Sequence, residues 1–147
     1  MKQRPHAPDV PALAAELRVL VGHFKRRFRE KVNLGDFTAS QMAVLRRLDS
    51  NGPATVTALA RAEGMRSQSM GANVAVLEEA GLVSGTPDPH DGRQTILSVT
   101  AACKEKVRAG RIACDDWLFG AIQKHLSSEE QRELERAIEL LKRLLEP

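Results

Sequence analysis

The chain has 147 residues, one domain's worth and enough to bury a core. Hydrophobic residues at 42% and charged residues at 28% exclude disorder throughout, and aromatics at 3%, with no Tyr and one Trp, supply an aromatic enzyme pocket or an RNA-stacking sheet poorly. The net charge is +3, and residues 1–60 carry all the excess, with 10 Lys and Arg against 5 Asp and Glu, which suits a polyanion, an anionic ligand or a solvated basic helix face. No apolar run approaches the roughly 18 residues of a membrane span, residues 1–10 are polar and Pro-rich rather than a signal peptide, and two cysteines are too few for a disulfide framework or a zinc site. A cytoplasmic protein with no membrane association, cofactor or metal is expected.

The first predicted element is a helix over 11–31. Leu13, Leu17, Leu20, Phe24 and Phe28 recur at spacings of three and four and make one apolar stripe, with Pro11 tolerated in the first turn. A second helix starts at Thr38, where Thr38 and Gln41 have capping-box spacing and Phe37 and Met42 have hydrophobic-staple spacing. It ends in the breaker cluster Asp49-Ser50-Asn51-Gly52-Pro53. Thr55 caps a short third helix over 56–62, Glu63-Gly64-Met65 turns the chain, and a fourth helix runs over 67–80 with Met70, Val74 and Leu77 inward and Gly81 at its end. Two short helices joined by a tight Gly-containing turn form a helix-turn-helix pattern. Residues 82–86 and 95–99 are short and rich in β-branched side chains, and the Pro, Asp and Gly residues between them make a hairpin, a wing directly after the helix-turn-helix.

Thr100 caps a long helix to about His125, with Cys103, Val107, Cys114, Leu118 and Ile122 along one side. Ser127 and Glu130 form a second capping box, and the last helix carries Leu134, Ile138, Leu141 and Leu145 at three-and-four spacing. The terminal helices have apolar stripes too wide for the small central module to cover. Packing against a second copy would bury them, and closed two-fold dimers are the commonest oligomer. The expected fold is therefore mainly α: a winged helix-turn-helix module with a two-stranded wing over 36–100, between helical dimerisation regions at 9–33 and 101–146.

With these elements in place the chain resembles the MarR family of bacterial regulators (multiple antibiotic resistance regulators) over nearly its whole length. The sharpest match is the wing. The family pattern is Asp-x-Arg-Asp-x-Arg followed by Leu-x-Leu-Thr, and here Asp88-Pro89-His90-Asp91-Gly92-Arg93 is followed by Leu97-Ser98-Val99-Thr100. Leu77-Glu78-Glu79-Ala80-Gly81-Leu82-Val83 resembles the family's helix-end phrase. The chain departs from the pattern at His90, which replaces an arginine, and at Ala72 and Val76, whose counterparts are often Arg. The resemblance implies a homodimeric DNA-binding regulator, a repressor on palindromic double-stranded operator DNA, released by a small-molecule inducer or by oxidation.

A recognition helix offers its N-terminal outer face to base edges in the major groove. With Met70, Val74 and Leu77 inward, that face is Gln68, Gly71, Ala72 and Ala75. Gln68 can bond adenine bidentately, while Gly71 and Ala72 permit close approach and contact with a thymine methyl. Ser67 and Ser69 serve as helix caps or phosphate donors, and Arg61 and Arg66 as phosphate neutralisers. In the wing, Arg93 suits the minor groove, whose negative potential attracts Arg, with Asp91 orienting it through a charge-assisted hydrogen bond and His90 near phosphate. Each assignment has a plain alternative as solvated surface. His23, Arg27 and Trp117 are candidate lining for an inducer cavity, with Arg27 pairing a carboxylate; a surface Arg and a core Trp explain the same residues. Cys103 and Cys114 lie on one helix face, too far apart for an intrachain disulfide, so buried structural cysteines are expected, with an intersubunit bond as the alternative. No nucleophile–base set stands out, so an enzyme is not expected. The competing reading is a winged-helix adaptor that binds protein and no specific DNA.

Overall fold

The computed structural model describes residues 7–147, so the first six residues of the polar N-terminal segment lie outside it. In chain order the elements are α1 (Val10–Lys31), α2 (Ala39–Asn51), β1 (Ala54–Thr55), α3 (Val56–Glu63), α4 (Ser67–Glu79), β2 (Val83–Pro87), β3 (Thr95–Val99), α5 (Ala101–His125) and α6 (Ser128–Arg143). They divide into two compact units. One is the continuous stretch Val32–Ala109; the other joins residues 7–31 to Gly110–Pro147.

Local chemistry sets the helix starts of the continuous unit. The Thr38 hydroxyl accepts from the Gln41 N–H at 3.2 Å, and the Thr38 N–H donates to the Gln41 side chain at 2.9 Å, a complete capping box at α2. Thr55 caps α3 by accepting from Ala58 N–H at 3.2 Å. Gly64 ends α3 at φ 63°, a left-handed conformation that glycine adopts without a Cβ clash, and this tight turn launches α4.

Met70, Val74 and Leu77 form the inner face of α4 and are nearly or wholly inaccessible. They meet Val44, Leu45 and Leu48 of α2, Leu59 of α3, Leu97 of β3 and Cys103 of α5 in one core. Phe37 and Met42, the staple pair, pack against its edge. Burying a side chain such as Leu77 contributes about 1.5–3 kcal/mol, so these positions fix which way α4 faces.

The hairpin of β2 and β3 is antiparallel, with Val83 opposite Val99 and Pro87 opposite Thr95. The two-stranded wing is extended into a three-stranded sheet, because β1 pairs with the other edge of β3 through Ala54 opposite Leu97 and Thr55 opposite Ile96. The physical reason lies in the cap of α3. An N-cap residue takes extended backbone angles, here φ −83° and ψ 161° at Thr55, which leaves it in strand conformation beside a free edge. After the hairpin, Thr100 ties three elements together. Its hydroxyl donates to Gly81 O at 2.7 Å and accepts from Cys103 N–H at 3.1 Å, and its N–H donates to Leu82 O at 3.0 Å.

In the second unit Asp9 caps α1, its carboxylate accepting from Ala12 N–H at 3.3 Å. Trp117 of α5 meets Phe24 and Phe28 of α1 edge-on, with ring centroids 6.3 and 6.0 Å apart. The Cys114 thiol lies 3.7 Å from Phe28 O. Ser127 and Glu130 form the capping box of α6. Neither α1 nor α6 contains a buried residue. Leu13, Leu20, Phe119, Leu140 and Leu145 are at least half exposed, up to 85% at Leu145.

Candidate nucleic-acid interface

Because the core holds Met70, Val74 and Leu77, helical periodicity turns the opposite side of α4 outward. Ser67, Gln68, Ser69, Ala72, Ala75 and Val76 are exposed, and Gly71 is half-buried. The predicted reading face is thus brought together on one surface. The start of the helix differs from expectation. Arg66 holds the N-cap position with no side-chain cap hydrogen bond, so neither Ser67 nor Ser69 serves as the cap. Arginine has no short acceptor to turn back onto the helix, and the first-turn N–H groups of α4 therefore point outward unsatisfied by any cap. Such N–H groups, at the positive end of the helix dipole, suit a phosphate oxygen. A cation there works against the dipole unless an anion completes the arrangement. Arg61, in the last turn of α3, is also exposed.

The wing tip is organised by its two aspartates. Asp88 accepts from His90 N–H at 2.8 Å, and Asp91 accepts from Arg93 N–H at 3.1 Å. Backbone bonds from Asp88 N–H to Gln94 O and from Gln94 N–H to Asp91 O, both 2.9 Å, close the loop. Asp91 therefore orients the Arg93 backbone, and the expected bond to the guanidinium is not formed. The short Asp side chain reaches the N–H two residues on, the Asx-turn geometry, while the long Arg side chain extends away. His90 and Arg93 are exposed, and among the described residues neither belongs to an ion pair.

One cross-helix pair has no sequence signal beyond opposite charge. Arg47 of α2 donates to Glu63 of α3 at 2.8 Å, with both side chains partly shielded. The other ion pairs among the described residues, Arg27–Glu30, Glu105–Arg108 and Glu139–Lys142, are exposed single-turn pairs. Arg47–Glu63 links α2 to the last residue of α3, beside the turn into α4.

Of the candidate ligand residues, two lie on α1 and one on α5. His23 and Arg27 are exposed one turn apart on α1, Arg27 lies 3.6 Å from Glu30, and Trp117 packs against Phe24 and Phe28. Cys103 is buried in the core, and burial, followed by the Asp49 carboxylate, pushes its thiol pKa up while Lys106 lowers it less. Cys103 and Cys114 are free thiols on one unbroken helix, roughly 16 Å apart along its axis, beyond the reach of a disulfide. No described helix is long and apolar enough to cross a membrane.

A helix-turn-helix followed by a hairpin, with an outward recognition helix and a wing tip that exposes Arg93, defines a winged-helix DNA-binding module. The sequence model of the MarR family matches residues 36–94. An HTH-type transcriptional regulator of Mycobacterium leprae is 33% identical over 134 residues, spanning 91% of this chain and 93% of its own length. A Pseudomonas aeruginosa protein assigned as a transcriptional regulator shares 31% identity and superposes with a TM-score of 0.73 over 97% of this chain and 99% of its own. MepR of Staphylococcus aureus, solved as a mutant bound to an oligodeoxyribonucleotide, has the same fold at 19% identity and a TM-score of 0.69, over 91% of this chain and 98% of its own. The chain belongs to the MarR family of DNA-binding transcriptional regulators, which are not enzymes.

Proposed function

We propose that the chain is a cytoplasmic homodimeric repressor that binds a pseudo-palindromic operator. In this reading α4 enters the major groove with Gln68, Gly71 and Ala72 at the base edges, and Ser67, Ser69, Arg61 and Arg66 meet phosphates. The wing reaches the adjacent minor groove through Arg93, with His90 beside the backbone and Asp91 shaping the tip. The observation that carries the proposal is the wing tip: both aspartates are engaged with backbone N–H groups, so the exposed Arg93 guanidinium stays available for an external anion. The oligonucleotide-bound MepR structure supports the same use of this fold. The dimer is supported by α1 and α6, where no apolar side chain is fully buried within the chain and many stay exposed, so that a second copy would bury them. Release of the operator by a small aromatic or anionic ligand completes the proposal, with His23, Arg27 and Trp117 as its candidate contacts.

A salt-dependent DNA titration of Arg93→Ala tests the reading. Operator affinity falls and the slope of log affinity against log salt flattens by about one per wing, because each phosphate contact releases counterions on binding. Thermal unfolding stays the same, since an exposed loop side chain contributes little to folding. Wild-type affinity at every salt concentration would remove the wing from the DNA and favour a protein-binding adaptor. Sedimentation at micromolar concentration tests the dimer, and a folded monomer refutes it.

A further inference from the structure

Val76 lies outside the hydrophobic core. Among the described residues it is the single large hydrophobic side chain of the Val32–Ala109 unit that stands exposed, at 42%. The other exposed large hydrophobics all belong to the second unit, where a second copy would cover them. Core packing does not need Val76, because Met70, Val74 and Leu77 already occupy the inner face. Helix propensity does not favour it either, since a β-branched side chain loses χ1 freedom against the preceding turn. The exposed Val76 side chain is therefore free to meet a group outside the chain.

The surroundings narrow the chemistry. Ala72 lies one turn before Val76 and Ala75 beside it, and both are exposed. None of the three has a side-chain donor or acceptor, so none can bond the polar base edges. The major groove presents one apolar group, the C5-methyl of thymine, where cytosine carries only hydrogen.

We infer that Val76, together with Ala72, contacts a thymine methyl group and makes T·A preferred over C·G at one position of each operator half-site. This rests on the proposed seating of α4 in the major groove. Val76 is two turns from Gln68, roughly 12 Å along the helix, so the thymine it reads is not part of the base pair that Gln68 meets. The contact depends on the methyl group and not on base identity, so 5-methylcytosine at that position satisfies it as well.

The experiment has two stages. Fragments selected from genomic DNA by the full-length protein supply a binding sequence, and deoxyuridine then replaces each thymine in turn, removing only the methyl group. At one position per half-site, uracil weakens binding about fourfold, the value of one buried carbon of this size, and the paired substitution in both half-sites weakens it about fifteenfold. Val76→Ala loses this sensitivity at that position alone. Val76→Thr, which keeps one of the two methyl groups and swaps the other for a hydroxyl, keeps at most part of it. Cytosine at that position weakens binding by wild type, and 5-methylcytosine restores it. A wild-type profile flat to uracil at every thymine overturns the inference, as does a Val76→Ala profile identical to wild type. Failure to select any preferred sequence refutes the groove seating itself, and the inference with it, at the first stage rather than the second.

Discussion

Gly71 is a helix-interior glycine with no structural reason to be one. Its φ is not positive, and a Cβ built on it meets nothing within 4 Å. Glycine in a helix interior is about 0.8–1.0 kcal/mol less favourable than alanine, because it loses more backbone freedom on folding. Gly71→Ala should therefore stabilise the protein by about 1 kcal/mol, raising the melting temperature by about 2–4 °C for a chain of this size. The same methyl group protrudes beside Gln68 and Ala72, on the face proposed to meet DNA. If the backbone there approaches a base edge closely, the added carbon pushes the helix outward and costs about 1–3 kcal/mol of operator affinity, as much as one wrong base pair. Thermal unfolding and a DNA titration on the same preparation read both effects, and they should move in opposite directions. A variant that melts higher and binds the operator with undiminished affinity refutes the close-approach reasoning. A variant that melts no higher shows that the space beside Gly71 is not open.

Other expectations follow from the core, the caps and the thiols. Leu77→Ala removes a fully inaccessible side chain and should cost about 2–5 kcal/mol, read as a lower denaturant midpoint with an unchanged slope. The Glu130 carboxyl is held below its ordinary pKa, first by the Ser127 backbone N–H and then by the Ser127 hydroxyl. Its lowered folded-state pKa means that the stability it adds is complete above the unfolded value and lost as pH falls through the folded one; melting between about pH 6 and about pH 3 should show this loss, and Glu130→Gln should remove it. Cys103, buried and with its thiol pKa raised, should resist alkylation at neutral pH until the protein unfolds, and peroxide should give no Cys103–Cys114 link within a chain. Peptide mass spectrometry checks both statements, and prompt labelling of Cys103 in the folded protein contradicts the first.

Features decided by neighbours along the chain are legible in the residue order itself. The capping boxes at Thr38–Gln41 and Ser127–Glu130 and the cap at Thr55 involve partners three residues apart, and all three form. Periodicity likewise places Met70, Val74 and Leu77 inward and so turns Gln68 and Ala72 out. What stays hidden depends on partners distant in sequence or on competition between bonds. Strand β1 is two residues long and exists because β3 offers an edge some forty residues later, which no local pattern announces. Arg47 and Glu63 look like any exposed charges until α2 and α3 are packed. Asp91 has two possible partners in Arg93, and the nearer backbone N–H prevails over the guanidinium. The cap of α1 is within reach of the same local logic, since Asp9 precedes Ala12 by three residues, although Pro11 is the more conspicuous start signal there.

The division of the chain into one continuous unit and one split unit has a consequence for synthesis. Residues 32–109 leave the ribosome as an uninterrupted stretch, so the core around Met70 and Leu77 can close while α6 is still unmade. Helix α1 emerges earlier, yet the side chain that covers Phe24 and Phe28 is Trp117, translated only after that whole stretch. A nascent chain paused within α5 thus carries a finished reading head and an uncovered aromatic pair. In that interval Phe24 and Phe28 lack the Trp117 contact, and they gain it only when α5 reaches α1.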